Sequence, residues 1–557
     1  SCGVNIAGTI DVDQVVTYAA QLNYVTYVEN NLFSCSADAQ ESITEKIKEF
    51  GLNRIVIAAC TPRTHEPLFQ ETLKNAELNG FLVEMANIRN QNSWVHQKDT
   101  EGATQKAKAQ VRMAVAKVIH NYPLNQERIR VRKKALIVGG GIVGLDSALT
   151  LARLGIETVL IERGGRLGGN ARKLSRSFKG QSIPEKLDSL VEEVNENKRI
   201  TVYKNAVLES VTGSMGNFKG SVAVNGESRP VDFGAAIMAT GGLEATPTEY
   251  LFGENPNVMT QLEFDNKVLF RPEKVKKAQA VVFIQCVGSR EPERPYCSRI
   301  CCIHSVKTAI QLKQINPGLK VFILYREVRT YGEWEERYKD ARELGVIFIR
   351  YGTRRKPSVT SDGDFLQVDL FDPISRRPLR IKTDYISLAT GVVADDNRYL
   401  ADLFKFNVNT DGFFQGAHPK LKPVDLSVAG LFVAGICNYP KPVDESIEEA
   451  RAAAFRVSAL LLEDEIKSEA IKSVVTENCD GCALCVDVCP FHAISLVEVD
   501  TPDGQRTKKV FSDPALCQGC GLCASTCPHE GIRVHGFTLK QLRAQVRSAV
   551  NENLNER

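Results

Sequence analysis

The strongest constraint on the fold of this chain is a pair of cysteine runs near its end. Each run has the spacing C-x2-C-x2-C-x3-C-P, and together they comprise Cys479, Cys482, Cys485, Cys489, Cys517, Cys520, Cys523 and Cys527. Thiolates at this spacing wrap round one corner of a cubane cluster, while the fourth cysteine of each run reaches the other cluster. The pattern therefore predicts two [4Fe-4S] clusters that form together. A zinc or disulfide framework is the alternative, but zinc ribbons do not repeat this spacing twice.

The interleaving assigns four ligands to each cluster. We expect one cluster to be held by Cys479, Cys482, Cys485 and Cys527, and the other by Cys517, Cys520, Cys523 and Cys489. A chain with such clusters moves single electrons.

Length and composition restrict the class of protein. The 557 residues include sixteen cysteines, 43% hydrophobic and 25% charged residues, and a net charge of +3. The length predicts three or four domains, and the small net charge implies neither nucleic acid nor an anionic membrane as a partner. We see no apolar run of transmembrane length and no signal peptide. Cysteines in metal-type spacings then favour a cytoplasmic protein over a disulfide-bonded one. The chain starts at Ser1 rather than Met, so residues of the natural N-terminus could precede it.

The first 130 residues are predicted to form one α/β unit. Residues 24–28 have the composition of a strand, residues 36–50 that of a capped helix, and residues 54–59 that of a buried strand. This order predicts a βαβ unit with a parallel sheet. Residues 104–120 are expected to form a long linker helix.

A nucleotide-binding fingerprint opens the next domain. A predicted strand runs into Gly139, Gly141 and Gly144 of a GxGxxG turn, a helix follows, and the next strand ends at Glu162. Glycines at these positions let the backbone approach a pyrophosphate, and the acid accepts hydrogen bonds from ribose hydroxyls. A glycine turn in a Rossmann fold without a nucleotide is the alternative.

The nucleotide is expected to be FAD, bound non-covalently. The segment after the acid resembles the E-x4-L-G-G element of two-dinucleotide-binding flavoproteins. Two Ala-Thr-Gly elements and a final strand ending in glycine also match that group. The residues expected at FAD, beyond the fingerprint, are Arg163, Leu167, Gly168, Gly169, Ala239, Thr240, Gly241, Ala389, Thr390, Gly391 and Gly435.

The second nucleotide site of such flavoproteins is missing from the sequence. Residues 245–385 contain no GxGxxG, and the matching strand leads instead into Cys286, Cys297, Cys301 and Cys302. Four thiols at this place predict a third [4Fe-4S] cluster near the flavin, with scattered buried thiols as the alternative. Lys307 follows on a predicted helix; a lysine there is either a solvated surface residue or a group that reaches a flavin nitrogen.

Three further motifs complete a family resemblance. They are Cys-Gly-x-Asn-Ile-Ala-Gly from Cys2, residues 59–67 and residues 84–89. With the cysteine motifs, they make the chain similar to the flavin subunit of heterodisulfide reductase over nearly its whole length. The resemblance implies an α/β fold with an N-terminal βαβ domain (1–130), a thioredoxin-reductase-like FAD domain (131–465), a ferredoxin domain (466–535) and a C-terminal helix (536–557). The inserted ferredoxin of methanogen members is absent, so a shorter form is expected.

The resemblance also implies a function. Members are oxidoreductases in which FAD is an electron-bifurcation centre that couples a two-electron donor to a disulfide and to a low-potential ferredoxin-type acceptor. Lys307 would be the catalytic lysine near flavin N5, and Cys2, Cys35 and Cys60 would hold a further cluster or remain simple thiols. The implied partners are disulfide-reducing and electron-delivering subunits and ferredoxin, with a homodimer left open. The alternative is a non-bifurcating relay subunit of a quinone-interacting or NADPH-linked complex.

Overall fold

The computed structural model describes residues 2–126, 128–362, 365–467, 470–500, 506–514 and 516–550. The chain divides into two compact units, Ser1–Arg128 with Lys467–Arg557, and Ile129–Ile466. The division joins the two ends of the chain in one unit. The boundaries of the four domains expected from the sequence stay a prediction.

The first unit contains a βαβ motif. Strands Ile55–Ala59 and Val83–Asn87 are parallel neighbours, and helix Pro62–Asn75 connects them. The predicted βαβ unit of residues 24–59 was wrong, because residues 24–28 form no strand, whereas its helix and its strand at 54–59 are confirmed as Ala37–Glu49 and Ile55–Ala59. The observed motif lies one step further along the chain. Tyr27 stacks instead on Phe50 with ring centroids 4.8 Å apart. Residues that are common in strands favour half-buried surfaces. In residues 24–28 the packing of Tyr27 on Phe50 provides such a surface, although the backbone does not pair as a strand.

The long helix Thr100–Val118 lies in the core of this unit rather than acting as a linker. It starts at Asp99, whose side chain accepts a hydrogen bond from the Gly102 amide. It packs against both strands and against the helix Leu539–Val550. The Arg112 guanidinium donates to the Ser548 carbonyl at 2.9 Å, which ties the two helices together. The remaining helices of this N-terminal part are Val4–Ala7, Val12–Ala20, Ala37–Glu49 and the π-helix Arg89–Ser93.

The C-terminal part of the first unit is small and rich in turns. It contains two antiparallel strand pairs, Ser473–Val475 with Ile532–Val534, and Ile494–Asp500 with Arg506–Ser512. Two short helices, Leu484–Asp487 and Leu522–Thr526, each carry one buried cysteine of the two runs.

The second unit contains a seven-stranded sheet. Its strands, in spatial order, are Gly416–His418, Lys422–Leu426, Leu431–Val433, Ala235–Met238, Lys134–Val138, Glu157–Glu162 and Ile200–Lys204. The last five strands in this order are parallel. One face is covered by helices Ile142–Arg153, Ile183–Glu196 and Val443–Leu461. The antiparallel strands Ala206–Ser214, Asn217–Val224 and Glu227–Phe233, with helix Arg398–Phe404, cover the other face.

A second sheet of five parallel strands repeats this plan. Its order is Val258–Thr260, Tyr385–Leu388, Ala280–Ile284, Lys320–Tyr325 and Ile347–Arg350. Helices Gln261–Phe270, Pro272–Lys276, Cys301–Ile315 and Trp334–Glu343 belong to this half. Strands Ser358–Asp362, Phe365–Asp372 and Arg377–Thr383 form an antiparallel layer on it. The pair Leu243–Glu244 and Val392–Val393 joins the two halves.

The elements left to name are short. They are the 3₁₀ helix Gly169–Lys173 and the strands Arg128–Arg130 and Glu465–Lys467. Within the described ranges, every helix is too short or too polar to cross a membrane.

Candidate functional site

The glycine turn after strand Lys134–Val138 is shaped by close backbone approaches. A Cβ on Gly139 would lie 2.4 Å from the Ala239 carbonyl oxygen, and one on Gly144 would lie 1.9 Å from the Gly139 carbonyl oxygen. Gly139 also has a φ of 115°, which favours glycine. A Cβ on Gly141, by contrast, would meet nothing within 4 Å. Gly139 and Gly144 therefore fix the turn, and Gly141 opens it to a cavity.

Glu162 stands at the end of the neighbouring strand, facing the same turn. Its carboxylate accepts hydrogen bonds from the Gly140 amide at 2.8 Å and from the Gly164 amide at 2.7 Å. These two bonds hold the carboxylate beside the glycine turn, as ribose recognition requires.

A cavity at this edge of the sheet collects most of the residues expected at FAD. Those that line it are Gly139, Gly141, Glu162, Arg163, Gly168, Gly169, Ala239, Thr240, Gly241 and Gly391. The other five expected residues do not line it: Gly144, Leu167, Ala389, Thr390 and Gly435. Leu167 is 2% exposed, and a Cβ on Gly140 would lie 2.6 Å from the Leu167 side chain. Leu167 therefore packs against the glycine turn rather than facing the cavity.

The cavity fits a dinucleotide. The helix Ile142–Arg153 begins at the open glycine, and the amides of a helix N-terminus bind phosphate. The Thr240 hydroxyl lines the cavity and, among the described residues, has no hydrogen-bond partner although it is buried. A buried hydroxyl without a partner costs free energy, and a ligand with polar groups would supply one.

A buried ion pair on the far wall was not anticipated from the sequence. Lys441 is 2% exposed, lines the cavity, and pairs with Glu449 of the helix Val443–Leu461. Glu449 also accepts a hydrogen bond from the Gly435 amide at 2.6 Å. Burial lowers the pKa of Lys441, while Glu449 opposes that shift. The final strand lacks the acid that usually follows its glycine, and this pair supplies charged groups close by.

The four cysteines of the second half converge. Cys286 follows strand Ala280–Ile284, and Cys301 and Cys302 begin the helix Cys301–Ile315. Burial raises the pKa of Cys301, and the nearby thiols of Cys302, Cys286 and Cys297 raise it further. Cys301 also lines the FAD cavity. The four thiols therefore lie close together, and of these four Cys301 lines the cavity. Cys437 is not part of this group: its thiol is buried, donates to the Met238 carbonyl at 3.3 Å and lies beside the backbone of Thr240 and Gly241.

Lys307 is buried but does not line the cavity. Its ammonium lies 2.8 Å from Asp265, and the two side chains are 8% and 0% exposed. His304, which does line the cavity, lies 3.3 Å from the same carboxylate. A solvated surface position for Lys307 does not match this geometry.

The two ferredoxin-type runs form two groups of four thiols. Burial and the nearby thiols of Cys527, Cys479 and Cys482 raise the pKa of Cys485. A second pocket is lined by Cys489, Cys517, Cys520 and Cys523. The structure thus groups the thiols in the interleaved sets expected from the spacing.

The three N-terminal cysteines also lie close together. Burial raises the pKa of Cys60, Arg89 lowers it, and the nearby thiols of Cys35 and Cys2 raise it further. The Arg89 guanidinium lies 3.6 Å from the Cys2 sulfur. No three His, Cys, Asp or Glu side chains in the described ranges are arranged to hold a single metal ion.

Two family descriptions match the chain. One is pyridine nucleotide-disulphide oxidoreductase, over residues 133–455 with a further match at 97–214; the other is 4Fe-4S dicluster domain, over residues 478–530. These matches confirm an oxidoreductase with FAD and with two C-terminal [4Fe-4S] clusters.

Named relatives extend over nearly all of the chain. The iron-sulfur A-subunit of a CoB–CoM heterodisulfide reductase from Methanopyrus kandleri is 33% identical, with 90% of each chain covered. The A-subunit of the H2:CoB-CoM heterodisulfide,ferredoxin reductase of Methanothermobacter thermautotrophicus is 32% identical, with 89% of this chain and 90% of the relative covered.

A third relative shows how the length compares. A protein of Archaeoglobus profundus, named as similar to the A-subunit of heterodisulfide reductase, is 31% identical, with 100% of this chain and 98% of the relative covered. That alignment runs over 695 positions although this chain has 557 residues, so the relative has residues that this chain lacks. The chain therefore belongs to the family of heterodisulfide reductase A-subunits, in a shorter form.

Proposed function

We propose that this chain is the flavin-based electron-bifurcation centre of a heterodisulfide-reductase-like complex. The observation that carries the proposal is the position of Cys301. It lines the same cavity as Gly139 and Gly141, which supports a cluster ligand at the wall of the FAD site. The lost second nucleotide site and the four thiols in its place support an electron exit through iron and sulfur rather than through a nicotinamide.

The proposed reaction balances over two turnovers. Two molecules of a two-electron donor are oxidised, which releases four electrons. One disulfide takes two electrons and two protons to give two thiols, and two ferredoxins take one electron each. Bound FAD supplies the chemistry of accepting electrons in pairs and releasing them singly.

The chain's own residues would hold and orient these groups. The fingerprint Gly139, Gly141, Gly144 and Glu162 would bind the FAD diphosphate and ribose. We assign a third cluster to Cys286, Cys297, Cys301 and Cys302, and a further one to Cys2, Cys35 and Cys60. The two interleaved ligand sets of the ferredoxin runs are part of the same proposal. Lys307 is proposed as the lysine that acts at the flavin, from a position fixed by Asp265.

The partners follow from the relatives. The Methanothermobacter protein carries a name that joins H2, a heterodisulfide and ferredoxin. By analogy we propose disulfide-reducing and electron-delivering subunits, with ferredoxin as the low-potential acceptor. A cytoplasmic location and a homodimer of protomers belong to the same proposal.

Reconstitution of the native complex tests this function. The complex would be given a two-electron donor, a disulfide and oxidised ferredoxin, and both products would be followed together. We expect ferredoxin reduction to require the disulfide, at two ferredoxins per disulfide. Reduction of the disulfide alone, with ferredoxin untouched, would support the non-bifurcating relay instead. Cys301→Ala should stop both products, whereas Arg153→Gln, which changes an exposed ion pair with Glu193, should not.

A further inference from the structure

The loop that carries the four cysteines of the flavin domain is surrounded by arginines. Burial raises the pKa of Cys286, whereas the charges of Arg290 and Arg326 lower it. Arg329 lies next to Cys297, and its charge also acts on Cys302. The three cations therefore lie near the same group of thiols, two of them near Cys286.

Two of these arginines have donors without acceptors. Arg326 is 7% exposed, and Arg290 has a side chain that is 25% exposed. In the part of the chain that the structure describes, Nε of Arg326 and Nη1 of Arg290 are buried and have no oxygen or nitrogen acceptor. The Arg290 side chain also lowers the pKa of the Cys286 thiol by a hydrogen bond. A buried charged donor without an acceptor is costly, so such groups are rare unless something fills the gap.

Other nitrogens of both side chains have partners, which restrict their direction. Arg326 donates through Nη1 to the Arg290 carbonyl at 3.2 Å and pairs through Nη2 with Glu291. Arg290 pairs through Nη2 with Glu327 at 3.0 Å. A change of rotamer at Arg326 would break its bonds to the Arg290 carbonyl and to Glu291, and one at Arg290 would break its pair with Glu327.

The backbone between the thiols is also strained. Cys286, Arg290 and Arg299 have φ values of 59°, 59° and 62°, in the left-handed region that non-glycine residues seldom adopt. Such residues persist where the surroundings over-determine them, and they cluster at functional sites. The loop that carries the thiols is therefore a constrained segment of the backbone.

We propose that Arg290 and Arg326 are hydrogen-bond donors to the iron-sulfur cluster at Cys286, Cys297, Cys301 and Cys302, and that they raise its reduction potential. The inference rests on the proposed cluster at these cysteines. Cluster sulfides and thiolates would accept hydrogen bonds from the two N–H groups that lack an acceptor in the protein. Reduction adds one negative charge to the cluster, and a fixed cation at short range stabilises that charge. Both residues are positioning groups, since they act on electrons through the cluster.

Arg326→Gln is the informative substitution. It removes the charge and the unpaired donor, and Glu291 keeps an ion pair with Lys356 at 3.1 Å. Arg326→Lys keeps the positive charge but loses the planar guanidinium with its several N–H donors. Arg153→Gln is a matched control, because Arg153 pairs with Glu193 on an exposed helix surface and its side chain is 65% exposed.

The test is an electron paramagnetic resonance redox titration of the full chain, with iron counted in each variant. Cys301→Ala first identifies the signal of this cluster by its loss. We expect Arg326→Gln to keep its iron and to lower the midpoint by about 59 mV, a tenfold change in the reduced-to-oxidised ratio of a one-electron couple. Arg326→Lys should lower it less, and Arg153→Gln should leave it unchanged.

Two results would overturn the inference, for different reasons. An unchanged midpoint in Arg326→Gln, with the signal present, would reject the arginines while leaving the cluster in place. Unchanged iron and signals in Cys301→Ala would reject the cluster itself and the inference with it. If Arg326→Gln fails to fold, the more exposed Arg290→Gln serves as the second variant, with the same expected fall.

Discussion

The ammonium group of Lys307 lies 2.8 Å from the carboxylate of Asp265, and both side chains are buried. The carboxylate also accepts a hydrogen bond from the Ser175 hydroxyl at 2.6 Å and lies 3.3 Å from His304. A buried charge that loses its partner is strongly destabilising. The pair therefore ties the stability of the domain to the charge near the cavity.

Lys307→Met should destabilise the chain by about 3 to 5 kcal/mol, because it leaves the Asp265 carboxylate buried without its counter-ion. The double variant Lys307→Met with Asp265→Asn should recover much of that loss. Urea unfolding of both variants measures the two free energies. Asp265→Asn alone completes the cycle: if the double variant loses the sum of the two single losses, the two residues are not coupled.

Acid should weaken the fold through the same carboxylate. Burial by itself raises the pKa of Asp265, but Lys307 and His304 lower it, and the net shift is downward. A group whose pKa is depressed in the folded state stabilises the fold above its unfolded pKa, and that contribution is lost as the pH falls. We expect the free energy of unfolding to fall below about pH 4, near the unfolded pKa of an aspartate. Asp265→Asn should show a shallower fall over the same range; identical slopes would contradict the assignment.

The same lysine is expected to influence the flavin. Lys307→Met should shift the flavin potential downward, since it removes a cation and leaves a carboxylate near the cavity. At a short, partly desolvated distance, a change of about 1 kcal/mol or more follows from Coulomb's law. Asp265→Asn, which leaves the cation alone, should shift the potential upward. A redox titration with the same flavin potentials in all three proteins would remove Lys307 from the flavin's surroundings.

Gly141 offers a clean test of the FAD site. Its φ is not in the left-handed region, and a side chain there would enter the cavity without meeting protein. Gly141→Leu should therefore fold but lose FAD, which acid precipitation and absorbance would measure. Gly352→Leu is the control, because that glycine also has open space around it and lies outside the cavity lining. Full FAD content in Gly141→Leu would place the nucleotide elsewhere.

The interleaved ligands of the ferredoxin runs can be separated by spectroscopy. Cys482→Ser and Cys527→Ser should alter the same cluster signal, and Cys520→Ser should alter the other one. Deletion of residues from 470 onward should remove about eight iron atoms per chain, the content of two cubane clusters. If Cys527→Ser altered the signal that Cys520→Ser alters, each run would bind its own cluster.

Local spacing predicted the parts of the site that depend on neighbours in sequence. The glycine turn, Glu162 and the cysteine runs could be anticipated because each motif sits on one strand, turn or helix. The grouping of Cys286 with Cys301 also followed, since the strand before and the helix after the loop meet at one sheet edge.

Contacts between distant segments could not be predicted in this way. Arg326 follows a different strand from Cys286, so only the order of strands in the sheet brings the two together. The pairs Lys441–Glu449 and Lys307–Asp265 also depend on how helices pack in three dimensions. The strand predicted at residues 24–28 was wrong for a related reason. The composition of a segment does not specify whether another strand lies beside it to pair with its backbone.

The measurement that tests bifurcation most directly is a spectroelectrochemical titration of the FAD in the purified chain. We predict crossed one-electron couples, in which the one-electron-reduced flavin gives up its electron at a lower potential than the fully reduced flavin does. No one-electron-reduced flavin should then accumulate at equilibrium. A flavin that passes through a stable one-electron-reduced state, with the couples in the ordinary order, would contradict bifurcation and leave a simple relay.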